Sequence, residues 1–146
     1  MLKISTISGV EFPEKVIPLI DAATKSIDIV IFYWRFVANE PGSRLGLFNA
    51  AIYRAVKRGV KVRAAVTSDD IRKIATAWGI ECRKIETRKL MHVKMMIIDD
   101  KVVITGSHTY TKSAFELNVE LSCVIETDEG VESFANFFEN VFNLPQ

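Results

Sequence analysis

The amino-acid sequence predicts an α/β fold, a mixed β-sheet flanked by helices. Apolar segments of strand and helix length alternate from Leu2 to Ile85, as in parallel βαβ units. Farther along the chain, two apolar segments surround Asp99-Asp100-Lys101, which indicates an antiparallel hairpin. The 146 residues, 49% of them hydrophobic and 25% charged, are typical of one globular domain over residues 1–146.

The first half of the chain is predicted to alternate strands and helices. Its elements are a strand from Leu2 to Ile7, a helix opening at Pro13, a strand from Ile27 to Trp34, a helix from Arg44 to Lys57, a strand from Val60 to Val66, a helix capped by Asp69 and ending near Gly79, and a weaker strand from Ile80 to Ile85. The dense apolar run before Trp34 indicates a buried central strand. Gly59 is well placed to end the second helix. A linker-like patch at residues 38–43 is too short to divide domains.

The second half is predicted to be antiparallel and to end in a helix. Its elements are strands from Met91 to Ile98 and from Val102 to Ser107, one or two helical turns from Thr111 to Leu117, a strand from Asn118 to Ile125, and a helix from about Glu129 to Phe142. The strand after Asn118 alternates, which predicts that Val119, Leu121, Cys123 and Ile125 face the core.

Composition argues against several classes of protein. The net charge is +1, so no overall basic field points to nucleic acid, and no apolar run approaches the ~20 residues of a membrane span. The N-terminus lacks a secretory h-region, and Cys82 and Cys123 do not make a disulfide framework. With His92 and His108 they show no zinc-ligand spacing. We expect a cytoplasmic domain with reduced thiols, no stable membrane insertion, and no metal or other cofactor.

Two basic side chains mark a candidate site in the strand that ends at Ile98. His92 and Lys94 are two residues apart, so they share a face, and a lysine in an apolar strand requires an anion. A two-residue turn, at Asp99-Asp100 or Asp100-Lys101, would place Ser107 opposite His92 or Lys94; a three-residue turn would not. Imidazole, ammonium and hydroxyl groups on one patch suit a phosphate.

Asn118 and Glu120 add an amide and a carboxylate on one face of the later strand. A nucleophilic histidine needs one ring nitrogen free and the other held as N–H by an acceptor, and Glu120 is the candidate acceptor for His92. Asn118 could donate its amide to a phosphate oxygen. The alternatives are that His92 is a hydrogen-bonded core histidine and that Glu120 is an ordinary strand carboxylate.

These residues resemble a known family. His92-Val93-Lys94, Asp99 four residues later, and Gly106-Ser107 after six more resemble the H-x-K-x4-D-x6-G-S motif of the phospholipase D superfamily. Asn118-x-Glu120 resembles the continuation of that motif. By size, the chain is most similar to the small single-motif bacterial endonuclease branch, so a phospholipase D-like fold is expected.

The resemblance implies phosphodiester cleavage without metal, in two displacements. His92 would attack phosphorus to form a phosphohistidine, and a second histidine would act as acid and then base. Lys94, Ser107 and Asn118 would bind the phosphoryl oxygens, and Glu120 would orient His92.

Two positions in or beside the motif, Asp99 and Thr109, differ from the others in their predicted roles. Asp99 belongs to the motif and is a candidate catalytic residue with His92, Lys94 and Glu120, but its parity and its place in the turn predict a supporting, structural role. Thr109 occupies the position where the family often has asparagine, which would weaken the grip on phosphate.

The second histidine is predicted to come from another copy of the chain. His108, the only other histidine, has no neighbouring lysine and is expected to face away from Ser107. In the family a symmetric homodimer solves this problem, each chain donating one His92 to a shared site.

Three functions follow from these observations. The first is a homodimeric endonuclease that binds the backbone of DNA or RNA; the second is a phospholipase or phosphatidyl transferase; the third is a non-catalytic nucleic-acid-binding module. Basic residues before His92 and around the preceding crossover are either an approach path for nucleic acid or a solvated face: Arg54, Lys57, Arg58, Lys61, Arg63, Arg83, Lys84, Arg88 and Lys89. Similarly, Tyr33, Trp34 and Phe36 either stack on a base, touch a lipid tail, or belong to the core or a dimer contact.

Overall fold

A computed structural model of the chain describes residues 1–36 and 42–145, which form a seven-stranded sheet with helices on both faces. The strands are β1 (Leu2–Ser8), β2 (Ser26–Ile31), β3 (Lys61–Val66), β4 (Glu81–Lys84), β5 (Lys94–Ile98), β6 (Val102–Gly106) and β7 (Leu121–Thr127). The helices are α1 (Glu11–Asp21), α2 (Arg44–Lys57), α3 (Asp69–Ala77) and α4 (Glu132–Phe142), and Ser113–Leu117 is a single π-helical segment. Of the linker-like patch, residues 38–41 lie outside the described residues.

The sheet is mixed, as the sequence predicts. Its strand order is β1-β7-β6-β5-β2-β3-β4, with β2, β3 and β4 parallel and the other pairs antiparallel. The first strand does not join the parallel group; it forms the far edge and pairs antiparallel with β7. The strand β2 lies between β5 and β3, which confirms its central position.

Two apolar cores cover the two faces of the sheet. On one face α1, α2 and α3 pack through Phe12, Phe48 and Ile71, among others. On the other face α4 packs through Phe138 and Phe142. No helix among the described residues is long and apolar enough to cross a membrane.

The hairpin between β5 and β6 differs from the predicted one. Ile98 pairs with Val102, so the turn has three residues, and the two-residue turn is wrong. Asp99 and Asp100 adopt φ angles of +53° and +56°. The carboxylate of Asp99 compensates for this backbone conformation by binding the N–H groups of residues 24–26. Met95 therefore pairs with Thr105, and the opposition of Ser107 to His92 or Lys94 is lost.

The exposed face of β7 is also opposite to the prediction. Ser122 and Val124 are buried, whereas Leu121 is 57% exposed and Cys123 and Ile125 are half-buried. Val119 precedes the strand and is fully exposed. Alternation identifies two faces but not which of them is covered, and the large helices α1 and α2 cover the face that carries Val124.

Candidate active site

Most of the predicted site residues lie at one end of the strands of the sheet. At this end β2, β3, β4 and β6 finish and β5 and β7 begin. The sequence predicts that His92, Asn118 and Glu120 lie inside strands. In the structure, they lie in the irregular backbone just before β5 and β7. This end of the sheet is polar because the chain leaves the strands here and polar side chains face solvent. His92 and Ser107 are exposed, and Lys94 and Glu120 are half-buried.

His92 and Lys94 form a contact pair. Nζ of Lys94 lies 2.9 Å from Nδ1 and 3.1 Å from Nε2 of His92. The ring of Phe32 packs against the imidazole, with centroids 4.8 Å apart, and also lies 5.7 Å from Nζ of Lys94. Partial burial lowers the pKa of Lys94, and the negative charge of Glu120 opposes that shift.

Ser107, Asn118 and Glu120 form a second hydrogen-bonded group. The Ser107 hydroxyl donates to Oε1 of Glu120 at 2.5 Å, and Nδ2 of Asn118 donates to Oε2 at 2.9 Å. The backbone N–H of Leu121 donates to the Ser107 Oγ. The carboxylate thus binds two of the three groups that the sequence analysis assigns to phosphate, Ser107 and Asn118. Its electrostatic interaction with Lys94 connects this group to the His92 pair.

Gly106 makes the close approach of β6 and β7 possible. A Cβ at this position would collide with the backbone of Leu121 and Ser122. Glycine is therefore required by packing at the point where β6 delivers Ser107 to the site.

The predicted contact between Glu120 and His92 does not occur among the hydrogen bonds of the described residues, where Glu120 binds Ser107 and Asn118. The orienting role of Glu120 therefore stays a prediction. Phe32 is the contact that sequence reasoning missed. It directly follows β2, and the pairing of β2 with β5 brings it to His92.

Asp99 lies away from this group. It follows the last residue of β5, whereas Lys94 is the first, so the strand separates them by about 17 Å at the usual rise per residue. Partial burial raises the pKa of Asp99, but hydrogen bonds from the backbone of Ser26, Thr24 and Lys25 outweigh it and lower the pKa overall. Its contacts are those of a structural residue.

His108 is a core histidine. It is 1% exposed, its ring stacks on Phe12, and its Nδ1 lies 2.8 Å from the Ser122 hydroxyl. Its Nε2 lies 2.9 Å from the carbonyl oxygen of Gly9, an acceptor, so Nε2 carries the hydrogen. Burial lowers the pKa of His108, against smaller opposing effects of Gly9 and Glu120.

Thr109 uses its hydroxyl within the chain. Oγ1 of Thr109 lies 2.9 Å from Oγ1 of Thr111, which itself accepts from the backbone N–H of Ala114. The Thr109 hydroxyl therefore already has a hydrogen-bond partner within the chain.

Most of the basic residues around the crossover have structural partners. Arg54 pairs with Asp21, Arg58 donates to the carbonyl of Ile20, Arg63 pairs with Asp28, Arg83 donates to the carbonyl of Phe142, and Lys84 pairs with Glu86. By contrast, Arg88 and Lys89 are exposed, and their side chains have no hydrogen-bond or ion-pair partner in residues 1–36 and 42–145.

The aromatic residues after β2 are divided between core and surface. Trp34 is 1% exposed and its Nε1 donates to Oδ1 of Asn49, so it belongs to the core. Phe36 stacks on Trp34, whereas Tyr33 is 42% exposed. Of these three described residues, only Tyr33 is exposed.

Comparisons with known proteins find a matching family and several similar chains. The family model described as "Cardiolipin synthase, PLD-like domain" matches residues 16–142. The mitochondrial cardiolipin hydrolase of Homo sapiens is 31% identical over 128 residues, 83% of this chain and 47% of that protein. A phospholipase D of Rickettsia conorii is 34% identical over 94 residues, 60% of this chain and 47% of that protein. The chain spans about half the length of these curated relatives.

The fold also matches a solved structure. The phospholipase D family member Nuc from Salmonella typhimurium superposes with a TM-score of 0.83 at 24% identity, covering 100% of this chain and 97% of the other. This likeness concerns the fold and confirms the expected architecture.

Among residues 1–36 and 42–145, no group of three or more His, Cys, Asp and Glu side chains could hold a metal ion.

Proposed function

Because the chain belongs to the phospholipase D-like family, we propose that it is a metal-independent phosphodiesterase, an endonuclease that cleaves DNA or RNA in an active site shared by two copies. The observation that carries the proposal is the contact of Lys94 with His92. This pair lies at the same end of the sheet as Ser107, Asn118 and Glu120. An exposed imidazole next to an ammonium group is a nucleophile beside an anion-binding charge.

The proposed reaction has two displacements. A ring nitrogen of His92 attacks phosphorus, the bond from phosphorus to the leaving oxygen breaks, and the second histidine protonates that oxygen. Water then attacks the phosphohistidine, the second histidine takes its proton, and the P–N bond breaks. Lys94, Ser107 and Asn118 hold the non-bridging oxygens, where negative charge accumulates.

Binding of phosphate requires a rearrangement of the hydrogen bonds of Glu120. The Ser107 hydroxyl has one hydrogen, which Glu120 accepts, so it must turn to reach a phosphate oxygen. Asn118 has a second N–H that Glu120 does not use. The released carboxylate oxygen of Glu120 is then free to accept an imidazole N–H.

The second histidine must come from a second copy. The chain has two histidines, and both ring nitrogens of His108 already have buried partners within the fold. Next to the site, Leu117, Val119 and Leu121 are 74%, 104% and 57% exposed. Such an apolar patch beside a polar cluster is typical of a surface that another chain covers.

Arg88 and Lys89 favour nucleic acid as the substrate. They precede His92 by four and three residues, and their charges have no partner in the described part of the chain. Unpaired cations next to a phosphodiester-cleaving site are suited to further phosphates of the same strand.

The experiment is a cleavage assay in EDTA with His92→Ala as the matched variant. We expect the wild-type protein to cleave a plasmid, a single-stranded oligonucleotide or RNA, and the variant to lose that activity. Cleavage that requires added metal or persists in His92→Ala contradicts the proposal, as does binding without turnover, which is expected of a non-catalytic module.

A lipid substrate is the second candidate, and the names of the relatives favour it, since one is a cardiolipin hydrolase and another a phospholipase D. The same assay therefore includes vesicles of phosphatidylcholine and of cardiolipin. Turnover of lipid with no cleavage of nucleic acid would select this candidate.

A further inference from the structure

We propose that a cleft beside the active site binds the phosphate next to the scissile one, so that the substrate must be a chain of phosphodiesters. The proposal rests on the proposed function. The cleft has a volume of about 660 Å³. Its lining includes Phe32, Tyr33, Arg35, Thr109, Lys112 and Asn118.

The cleft is continuous with the catalytic group. Phe32 packs against His92 and also lines the cleft. Asn118 binds Glu120 and also lines the cleft. A phosphodiester that sits on His92 and Asn118 therefore leads directly into this space.

The described residues that line the cleft include two cations and no acidic side chain. The side chains of Arg35 and Lys112 are exposed and have no hydrogen-bond or ion-pair partner within residues 1–36 and 42–145. Most arginines elsewhere are paired, for example Arg54 with Asp21 and Arg63 with Asp28. Two unpaired like charges in one cleft repel each other, and an anion between them relieves that repulsion.

Hydrogen bonds hold the backbone at Arg35 and close to Lys112. Trp34 and Tyr110 form a parallel bridge, in which the N–H of Arg35 donates to the carbonyl of Tyr110 and the N–H of Tyr110 donates to the carbonyl of Tyr33. The rings of Trp34 and Tyr110 are buried and meet edge to face. Nδ2 of Asn49 donates to the carbonyl of Arg35. The backbone at Arg35, and two residues before Lys112, is thus fixed before any ligand binds, which lowers the entropy cost of binding.

Hydroxyl groups and one aromatic ring complete the cleft. Thr109, Thr111 and Ser113 also line it, and hydroxyls are common donors to phosphate oxygens. The exposed ring of Tyr33 offers a stacking surface for an unpaired base. Guanidinium, ammonium, hydroxyl and aromatic groups together suit one nucleotide of a single strand.

The test uses substrates that add one phosphate at a time. A dinucleoside monophosphate has only the scissile phosphate, whereas oligonucleotides of three to six residues without terminal phosphates have further ones. We expect the wild-type kcat/KM to rise at least tenfold when the first additional phosphate is present. The double variant Arg35→Gln/Lys112→Gln should lose this rise, whereas Arg72→Gln/Lys25→Gln, which removes one arginine and one lysine away from the cleft, should keep it.

Equilibrium binding separates this inference from the proposed function. Fluorescence anisotropy with a labelled oligonucleotide should show weaker binding by Arg35→Gln/Lys112→Gln and a shallower salt dependence, since each lost phosphate contact lowers the slope by about 0.7 for a single strand. Loss of binding in that variant, in a protein that does not cleave nucleic acid, would support the cleft and overturn the proposed function. Nucleic-acid cleavage whose length dependence is the same in wild type and variant would overturn the cleft alone. Circular dichroism establishes that the variants are folded.

Discussion

Nζ of Lys94 lies 2.9 Å from Nδ1 of His92, with the ring of Phe32 against both side chains. The ammonium group is therefore placed to reach an oxygen of a phosphate that contacts His92. Its position at the first residue of β5 fixes the backbone through the ladder with β2. The proposed nucleophile and the ammonium group beside it thus both lie at the start of β5.

Lys94→Met should lower kcat by about 10²- to 10³-fold, the loss typical of one charge-stabilising donor. The methyl thioether fills similar space but cannot bind a phosphoryl oxygen. Single-turnover kinetics on an oligonucleotide measure the effect, with Lys101→Met in the distant turn as the control. An increase in KM with unchanged kcat would show that Lys94 only binds substrate.

Asp99→Asn should lower the free energy of unfolding by about 1–3 kcal/mol, because a carboxylate that accepts backbone N–H groups is replaced by a weaker acceptor. Asparagine tolerates the positive φ, so the variant tests the charge and not the turn. Because the folded-state pKa of Asp99 is lowered, its contribution is present above the usual pKa of about 3.9. It is lost as the pH falls through the lowered value.

Urea unfolding at pH 7 and at pH 3 to 4 measures this contribution. The difference between wild type and Asp99→Asn should narrow at the lower pH. Asp100→Asn is the control, since Asp100 has a similar φ in the same turn. Cleavage lost by Asp99→Asn in a fully folded protein would contradict a structural role.

The sequence predicts the types and order of the elements better than their ends. Apolar periodicity identifies the strands because burial selects it, and α2 begins and ends at the predicted residues. The turn after β5 has three residues and not two, and Asp99 within it binds the backbone of Lys25, 74 residues earlier. No local signal contains that contact.

The candidate site shows the same limit. The motif identifies Ser107 and Glu120 as site residues. The predicted pairing of Ser107 with His92 or Lys94 across the hairpin, however, is wrong. The close approach of β6 and β7 at Gly106 brings Ser107 to Glu120 instead. The burial of His108 depends on the carbonyl of Gly9, 99 residues away, and likewise has no sequence signal.

His108 should make the protein less stable in acid. Its folded-state pKa is lowered by burial, so the unfolded chain binds a proton that the folded chain does not. The free energy of unfolding should therefore fall as the pH drops below about 6.5. His108→Gln can still donate to Gly9 and accept from Ser122, but it does not titrate, so it should lose this part of the slope.

Thermal unfolding between pH 5 and 8 provides the measurement. Ser122→Ala keeps the imidazole and should keep the slope while lowering stability at every pH. Identical slopes in wild type and His108→Gln would mean that another group controls the acid response.

The apolar patch of Leu117, Val119 and Leu121 makes the shared active site testable. Val119→Asp places a charge on a fully exposed side chain, so the monomer should fold normally. If a second copy covers the patch, burying that charge would be costly, and the variant should sediment as a monomer with little activity. Ile74→Asp on α3, at a side chain 41% exposed, is the control for an exposed apolar residue elsewhere.

Mixing experiments test whether two copies of His92 act together. If both imidazoles of a dimer are needed, a mixed dimer of wild type and His92→Ala is inactive. Activity after subunit exchange should then fall as the square of the wild-type fraction, because only wild-type pairs retain two imidazoles. A decline in simple proportion to that fraction, or a fully active monomer of Val119→Asp, would mean that each chain cleaves phosphodiesters with its own His92.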